Sequence, residues 1–557
     1  MTRRTVIFLF IFAMLLPLLL MREYTPSNEL RYLNIVDDAI ESGNFFTFYD
    51  HGEPYADKPP LYFWVMMLLK KIAGSHSLFL LCTILGLAPA FVIGWVMDRW
   101  TENKLNASES TAALMMLFSG VLFISSALVM RMDMLMCMFI ILALYTFGKM
   151  YANKSGARDA KMKVLSHEAR RFKTDRILLP IYVFLAIFSK GAVGFLAPVL
   201  CIIVFLISDR DLRIGKYLGW RFWLILIVLC SLWWTCVYME GGKEYLNNLV
   251  FHQTIDRGVN SFRHKEPFWF YLAGYWWMAA VWSVLIVILL IKGWRKRLLG
   301  GIRIHLMVVS ALTILVMLSA VSSKLAIYFL PAIPLFVYAA ALMLPYFKDD
   351  RLIKVIVAAV AWIFIILGIA TIFKKFIVPD SFSAELPKLW APYWVIFLPL
   401  TLGGLLALKF LKDKSTCIAI SVISASILVV TFLGGLSTPS INKTIGVKDG
   451  CLEAARIAEK ENLPLYYCCF RAGNNMDYYF RQSGRQIEKI DTVGLAGFKE
   501  GIVFFKEKWI KKDVSRRKEL EARESPYLKN ILGDGEYVKL GNDICYAVIP
   551  AKADTEQ

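Results

Sequence analysis

Residues 5–32 read TVIFLFIFAMLLPLLLMREYTPSNELRY: an apolar run ending at Met21, then Asn28-Glu29-Leu30-Arg31-Tyr32 with charges of both signs. The run is long enough to cross a hydrocarbon core, which takes roughly 20 residues. Arg3 and Arg4 precede it, and the bias of Lys and Arg toward the cytoplasm puts that end inside. No small-residue cleavage site follows, so the segment reads as an uncleaved signal anchor. The NELRY cluster then emerges on the opposite face.

The rest of the chain repeats this arrangement. Of 557 residues, 57% are hydrophobic and only 19% charged, against about a quarter charged in soluble domains. Further spans read at about 76–98, 111–130, 134–152, 177–188, 191–208, 222–238, 268–291, 304–321, 326–345, 353–373, 391–408 and 416–436. The expectation is a polytopic α-helical membrane protein with about thirteen transmembrane helices. Basic clusters at 153–176, at Arg210/Arg213/Lys216, at Arg295-Lys296-Arg297 and at Lys409/Lys412/Lys414 all fall inside with the N-terminus inside. A shift of one span would put every one of them outside. The formal net charge of +19 follows from these loops and their attraction to anionic lipid. No basic module accompanies it, so nucleic acid is excluded as a partner.

With that orientation Asn28 to Tyr32, Asp57-Lys58-Pro59-Pro60, Arg131-Met132-Asp133, Ser189-Lys190-Gly191, residues 252–264 and Ser323-Lys324 all reach the outer face. Charge beside a bilayer is costly without a function. The outer loop 22–75 carries two amphipathic stretches suited to helices in the interface, Leu30 to Ile40 and Tyr62 to Met67. Residues 440–557 contain no spanning run. Val447 to Glu461 and Asn475 to Gln482 read as helices. Leu463 to Phe470, Ile502 to Phe505, Glu536 to Leu540 and Ile544 to Ile549 read as strands. A transmembrane domain 1–439 and a periplasmic α/β domain 440–557 are expected. Six of the ten cysteines lie in apolar helices, and one disulfide among Cys451, Cys468, Cys469 and Cys545 is compatible with an outer location.

Outward cations run against the positive-inside bias, which points to phosphate binding by Lys58, Arg31, Arg131, Lys190, Arg257 and Lys324. His252 or His264 with a carboxylate from the first loop could share a divalent ion, Zn or Mg/Mn; no cofactor is otherwise required. Tyr32, Tyr62, Trp64, Trp269 and Tyr271 are candidates for the wall of a substrate groove.

Asn-Glu-x-Arg-Tyr after the first span, Asp-Lys-Pro in the same loop, Asp133 after the third span, Ser-Lys-Gly, His-x-x-Pro-Phe-Trp-Phe-Tyr and Ser-Lys-Leu occur in that order on one face. In this the chain resembles the GT-C glycosyltransferases. It is most similar to the bacterial branch of the protein O-mannosyltransferase superfamily, the lipid A aminoarabinose transferase type. The resemblance implies inverting transfer of a sugar from a polyprenyl-phosphate donor to a lipid A, glycan or protein acceptor at the periplasmic face of the bacterial inner membrane. It implies that Glu29 and Asp133 face the reaction centre and that Lys58 lies near the donor phosphate. It also puts Asp57 next to a metal position. Asn28 departs from the family, which has Asp there, and an amide cannot take a proton as a carboxylate does. A hydroxyl acceptor then requires Glu29 or Asp133 as its base, whereas a phosphate acceptor, already anionic, needs that base least. The rival reading, a flippase or transporter of lipid-linked sugars, calls for charges through the membrane midplane and inverted repeats, neither of which the sequence carries.

Overall fold

The computed structural model describes residues 2–74, 77–156, 165–250, 265–373, 389–470, 473–511, 520–533 and 535–550. Thirteen apolar stretches were expected to span, and each contains helix. Eight helices are long and apolar enough to cross a membrane alone: α1 (Arg3–Met21), α4 (Ser77–Trp100), α7 (Met132–Gly156), α10 (Trp220–Asn247), α13 (Ile302–Ala320), α15 (Arg351–Ala370), α16 (Tyr393–Lys412) and α17 (Thr416–Gly435). Two bent pairs raise the number to ten among the described residues. These are α5 (Ala107–Ser119) with α6 (Val121–Leu128), bent by 63°, and α11 (Phe270–Met278) with α12 (Ser283–Arg295), bent by 111°. The remaining three stretches lie in α8 (Leu165–Lys190), α9 (Ala192–Ser208) and α14 (Ala332–Ala341). α9 and α14 are short for a span. The described residues therefore give eight to ten spans by length and composition, where composition along the sequence suggests about thirteen. The protein is a polytopic α-helical membrane protein.

α2 (Asn28–Ser42) and α3 (Leu61–Ala73) form in the first loop, residues 22–75, as their amphipathic spacing predicts. Gly43, at φ 74°, ends α2 in the left-handed conformation that glycine adopts without strain. The chain then makes a two-strand turn, β1 (Tyr49–Asp50) with β2 (Glu53–Pro54), before α3. α10 holds this turn in place. The Glu240 carboxylate accepts from the backbone N–H groups of Phe45, Phe46 and Thr47 at 2.8–3.2 Å and from the Thr47 hydroxyl at 2.7 Å. Tyr245 accepts from the Phe48 N–H at 2.9 Å and donates to the Tyr55 carbonyl at 3.1 Å.

The C-terminal region carries a mixed five-stranded sheet in the order β4-β3-β5-β7-β6. β3 (Leu465–Tyr467) runs parallel to β4 (Ile487–Lys489) and β5 (Gly501–Lys506); β7 (Ile544–Ile549) is antiparallel to β5 and to β6 (Val538–Lys539). α18 (Lys448–Lys460) falls on the expected helix, whereas α19 (Leu520–Leu532) and β4 do not correspond to any expected element. β4 escapes detection because two of its three residues are an exposed Glu and Lys. Cys451, Cys468, Cys469 and Cys545 are all buried, with Cys451 in a separate apolar cluster from the other three.

The sheet region docks on α2 through side chains. Asn475 Nδ2 donates to the carbonyls of Pro26 (3.0 Å) and Ser27 (2.7 Å), and Asn34 donates to the Asn475 carbonyl at 3.0 Å. Arg481 pairs with Asp38. His51, at the tip of the β1–β2 turn, lies between Asp50 (2.8 Å) and Asp477 (2.9 Å). Burial opposes the charged imidazole, but the hydrogen bonds to Asp477 and Asp50 outweigh it and raise its pKa from 6.5 to about 9.

Candidate active site

Three chain segments meet where α1 and α8 end and α7 begins. The first is the start of α2. Glu29 is 1% exposed, and both its oxygens are engaged. One accepts from the Met130 N–H at 2.7 Å and Arg22 at 2.8 Å; the other accepts from the Thr25 N–H and Arg22, both at 2.8 Å. This carboxylate ties the α2 start to the extended Val129-Met130 link before α7. Asn28, one residue earlier, opens α2 half-buried.

The second segment is the α7 start. Asp133 lies in its first turn, where the helix dipole favours a carboxylate. It is 2% exposed. Lys190 pairs with one Asp133 oxygen and Arg131 approaches the other at 3.5 Å. The third segment is the α8–α9 hairpin that delivers Lys190. Gly191 turns it at φ 92°. Gly194 packs so closely that a Cβ there would lie 2.3 Å from the Ala186 carbonyl group. Lys190 also sits 4.3 Å from the Tyr328 ring centroid, a cation–π contact.

Lys190 forms the polar end of a cavity of about 450 Å³ that Asp57 and Pro59 border from the first loop. Its other walls are apolar: Phe195 from α9 and Trp223, Trp233 and Trp234 from α10. Asp133 stands behind Lys190, off the cavity wall. The site thus pairs a cation, backed by a buried carboxylate, with a trough of tryptophans.

Not every expected residue arrives there. Lys58 directs its ammonium to the Asp57 carbonyl at 3.0 Å, beside the cavity. Arg31 turns to Asp50 at 3.2 Å, toward the sheet region. Lys324 is buried, donating to the carbonyls of Glu266 (3.0 Å) and Val321 (2.5 Å), which fastens the segment before α11 to the end of α13. Of the expected groove aromatics, Tyr32 and Tyr62 pack edge-on at 6.0 Å inside the loop's core, and burial raises the Tyr32 phenol to about 12. Tyr271 is fully buried and donates to the Leu325 carbonyl at 3.1 Å, while Trp269 is half-exposed. None of these four, nor Trp64, borders the cavity. Aromatic side chains satisfy a core as readily as a groove, and the sequence does not separate the two. His252, Arg257 and His264 lie outside the described residues. Asp57 is thus the one described member of the expected metal set, and no group of three metal-ligating side chains occurs among the described residues.

The α10 tryptophans, Arg22, Tyr328, Glu240 and His51 were not singled out by sequence. Trp233-Trp234 and Glu240 sit near the end of an apolar span, where tryptophan reads as an interface anchor. Only the fold turns them toward the loop.

No family model matches the chain. It is similar, at 24% identity over 329 residues, to the undecaprenyl phosphate-alpha-4-amino-4-deoxy-L-arabinose arabinosyl transferase of Serratia proteamaculans, the match covering 58% of this chain and 55% of the relative. The transferase of the same description from Erwinia tasmaniensis matches at 23% identity, over 59% of this chain and 57% of the relative. The chain thus aligns with little more than half the length of these relatives. In structure it matches ArnT from Cupriavidus metallidurans, crystallised with undecaprenyl phosphate, with a TM-score of 0.71 over 100% of both chains at 17% identity. The apo form of that protein gives 0.70 over 98% of each. The fold is that of ArnT, a membrane bundle with a C-terminal sheet region.

Proposed function

We propose that the chain is an inverting glycosyltransferase that moves a sugar, hexosyl or pentosyl, from a polyprenyl-phosphate donor to an acceptor at the periplasmic face of a bacterial inner membrane. In this reading residues 1–439 are the transmembrane transferase domain and 440–557 a periplasmic domain. The observation that carries it is the cavity with Lys190 at one end and tryptophans along its walls. A polyprenyl phosphate has the matching form, an anion on an isoprenoid chain. The relatives' description as undecaprenyl-phosphate aminoarabinose transferases supports the same class of donor.

In the reaction, the bond from the anomeric carbon to the donor phosphate oxygen breaks with its electron pair going to the phosphate. An acceptor oxygen bonds to the opposite face of that carbon, so configuration inverts. Lys190, with Arg131 and Lys58 nearby, stabilises charge growing on the leaving phosphate, a large electrostatic contribution in such sites. Asp133 holds Lys190 in place from behind the cavity wall; Glu29 is committed to four donors and Asn28 cannot act as a base, so among the described residues Asp57 is the carboxylate that borders the cavity. An acceptor that is itself a phosphate, as on lipid A, arrives anionic and suits this shortage of bases; a glycan or protein hydroxyl would need a base at the cavity. Any metal bound through Asp57 would polarise phosphate oxygens.

The test is to incubate the purified protein with undecaprenyl-phosphate sugars and lipid A, glycan or peptide acceptors and to identify products by mass spectrometry. Transfer of one sugar is expected, with Asp133→Asn and Lys190→Gln each lowering kcat/KM by about a hundredfold or more, in line with the loss of one preorganised charge-stabilising group. Full activity in both variants would refute the assignment, and absence of transfer from every polyprenyl-phosphate donor would refute the reaction class.

A further inference from the structure

A second cavity, of about 830 Å³, lies between α15 and α16, far from the candidate active site along the helix axes. Its place at the opposite face follows from a chain of contacts. Arg3, which opens α1, donates to the Ala107 carbonyl at 2.6 Å, and Glu109 two residues on accepts from Lys348 at 3.0 Å. Asp350, which caps α15, accepts from Lys292 at 2.8 Å. The α15 start therefore lies with the start of α1, whereas Arg22 and Glu29 lie beyond its end.

The two helices touch most closely at small residues. A Cβ on Gly404 would meet the Ala361 carbonyl oxygen at 2.5 Å, and one on Gly368 would meet the Thr401 hydroxyl at 2.0 Å. The cavity begins beside the Gly404 contact, at Trp362 and Leu405. Its mouth carries Arg351, Lys354, Lys409 and Lys412 against a single lining carboxylate, Asp349, which pairs with Lys354 at 3.3 Å. Beneath the cations the walls are apolar, and Trp362 and Leu405 there are 54% and 51% exposed. Basic residues at span ends are expected from topology alone. Topology does not, however, require four of them around one cleft above an apolar trough.

We infer that this cleft binds an anionic phospholipid of the leaflet opposite the candidate active site, with its phosphates among the four cations and its acyl chains along Trp362 and Leu405. Basic pockets between spanning helices recognise such head groups by charge and hydrogen bonding. Inorganic phosphate would leave the apolar wall bare.

Native mass spectrometry of the detergent-purified full chain, titrated with cardiolipin, phosphatidylglycerol or phosphatidylcholine, tests this. One saturable adduct is expected, tightest with cardiolipin and weakest with phosphatidylcholine, and undisplaced by millimolar inorganic phosphate. Replacing Arg351, Lys354, Lys409 and Lys412 with Gln should weaken the cardiolipin adduct at least tenfold. Replacing Arg295, Lys296 and Arg297, an exposed basic run at the end of α12, should leave it unchanged. Should the fourfold variant fail to fold, the pair Lys409→Gln/Lys412→Gln should still weaken binding, and Lys409→Arg/Lys412→Arg should retain it. Cardiolipin binding equal to wild type in the Gln variants, or displacement by phosphate, would overturn the inference.

Discussion

Replacing Glu29 with glutamine separates two roles for this residue, the reaction-centre acid that the resemblance implies and the clamp that its hydrogen bonds form. The carboxylate accepts four hydrogen bonds at 2.7–2.8 Å from the Met130 and Thr25 N–H groups and from Arg22. Glutamine keeps one acceptor oxygen but turns an NH2 group toward two of those donors. It also strands the Arg22 guanidinium, whose side chain is 12% exposed. Removing one partner of a buried pair costs about 3–5 kcal/mol, because the other charge stays buried and uncompensated. Glu29→Gln should therefore lower the unfolding midpoint of the detergent-solubilised protein by several degrees and reduce sugar transfer. Adding Arg22→Met removes the stranded charge. The double variant should regain most of the stability, leaving a deficit of about 1–3 kcal/mol for the donor without an acceptor. If Glu29 is a clamp, transfer measured well below the midpoint should return with the stability. A double variant that unfolds like wild type yet transfers no sugar would refute the clamp and make Glu29 a chemical participant.

Other expectations follow from neighbouring features. His51 carries a raised pKa, so its contribution to docking the sheet region is full below about pH 6.5 and is lost as pH rises through about 9; His51→Gln should flatten the pH dependence of the unfolding midpoint across that window. Trp234→Ala should raise KM for the polyprenyl donor about tenfold, for roughly 1–1.5 kcal/mol of aromatic contact, with little change in kcat; an unchanged KM would remove α10 from the donor site. Gly191→Ala forces a side chain into φ 92°, at a cost of about 1–3 kcal/mol. It should depress kcat more than KM, as expected if Lys190 is displaced from Asp133.

Much of the fold was legible because a bilayer imposes simple demands. A segment crossing hydrocarbon must be apolar and must satisfy its own backbone as helix, so each expected span contains helix. Charges that resist this rule stand out in one dimension, which is why Asp57, Arg131, Asp133 and Lys190 could be selected before any coordinates. Span length was harder to read: the breaks at Gly120 and around Ala279 bend two apolar stretches, and an apolar run reads the same whether it continues straight or turns. β4 and α19 carry too little apolar periodicity to signal themselves.

What the sequence by itself determined is which groups are available at one face: two lysines beside prolines or glycine, paired acids, and an amide at Asn28. Tertiary structure alone decided their partners. It gave Glu29 to Arg22 and two backbone N–H groups, Lys324 to carbonyls, and Lys190 to Asp133 beside a tryptophan-lined cavity. The reason is physical. Hydrophobicity is a property of each residue and accumulates along the chain, whereas a hydrogen bond or ion pair depends on distances of about 3 Å between residues far apart in sequence.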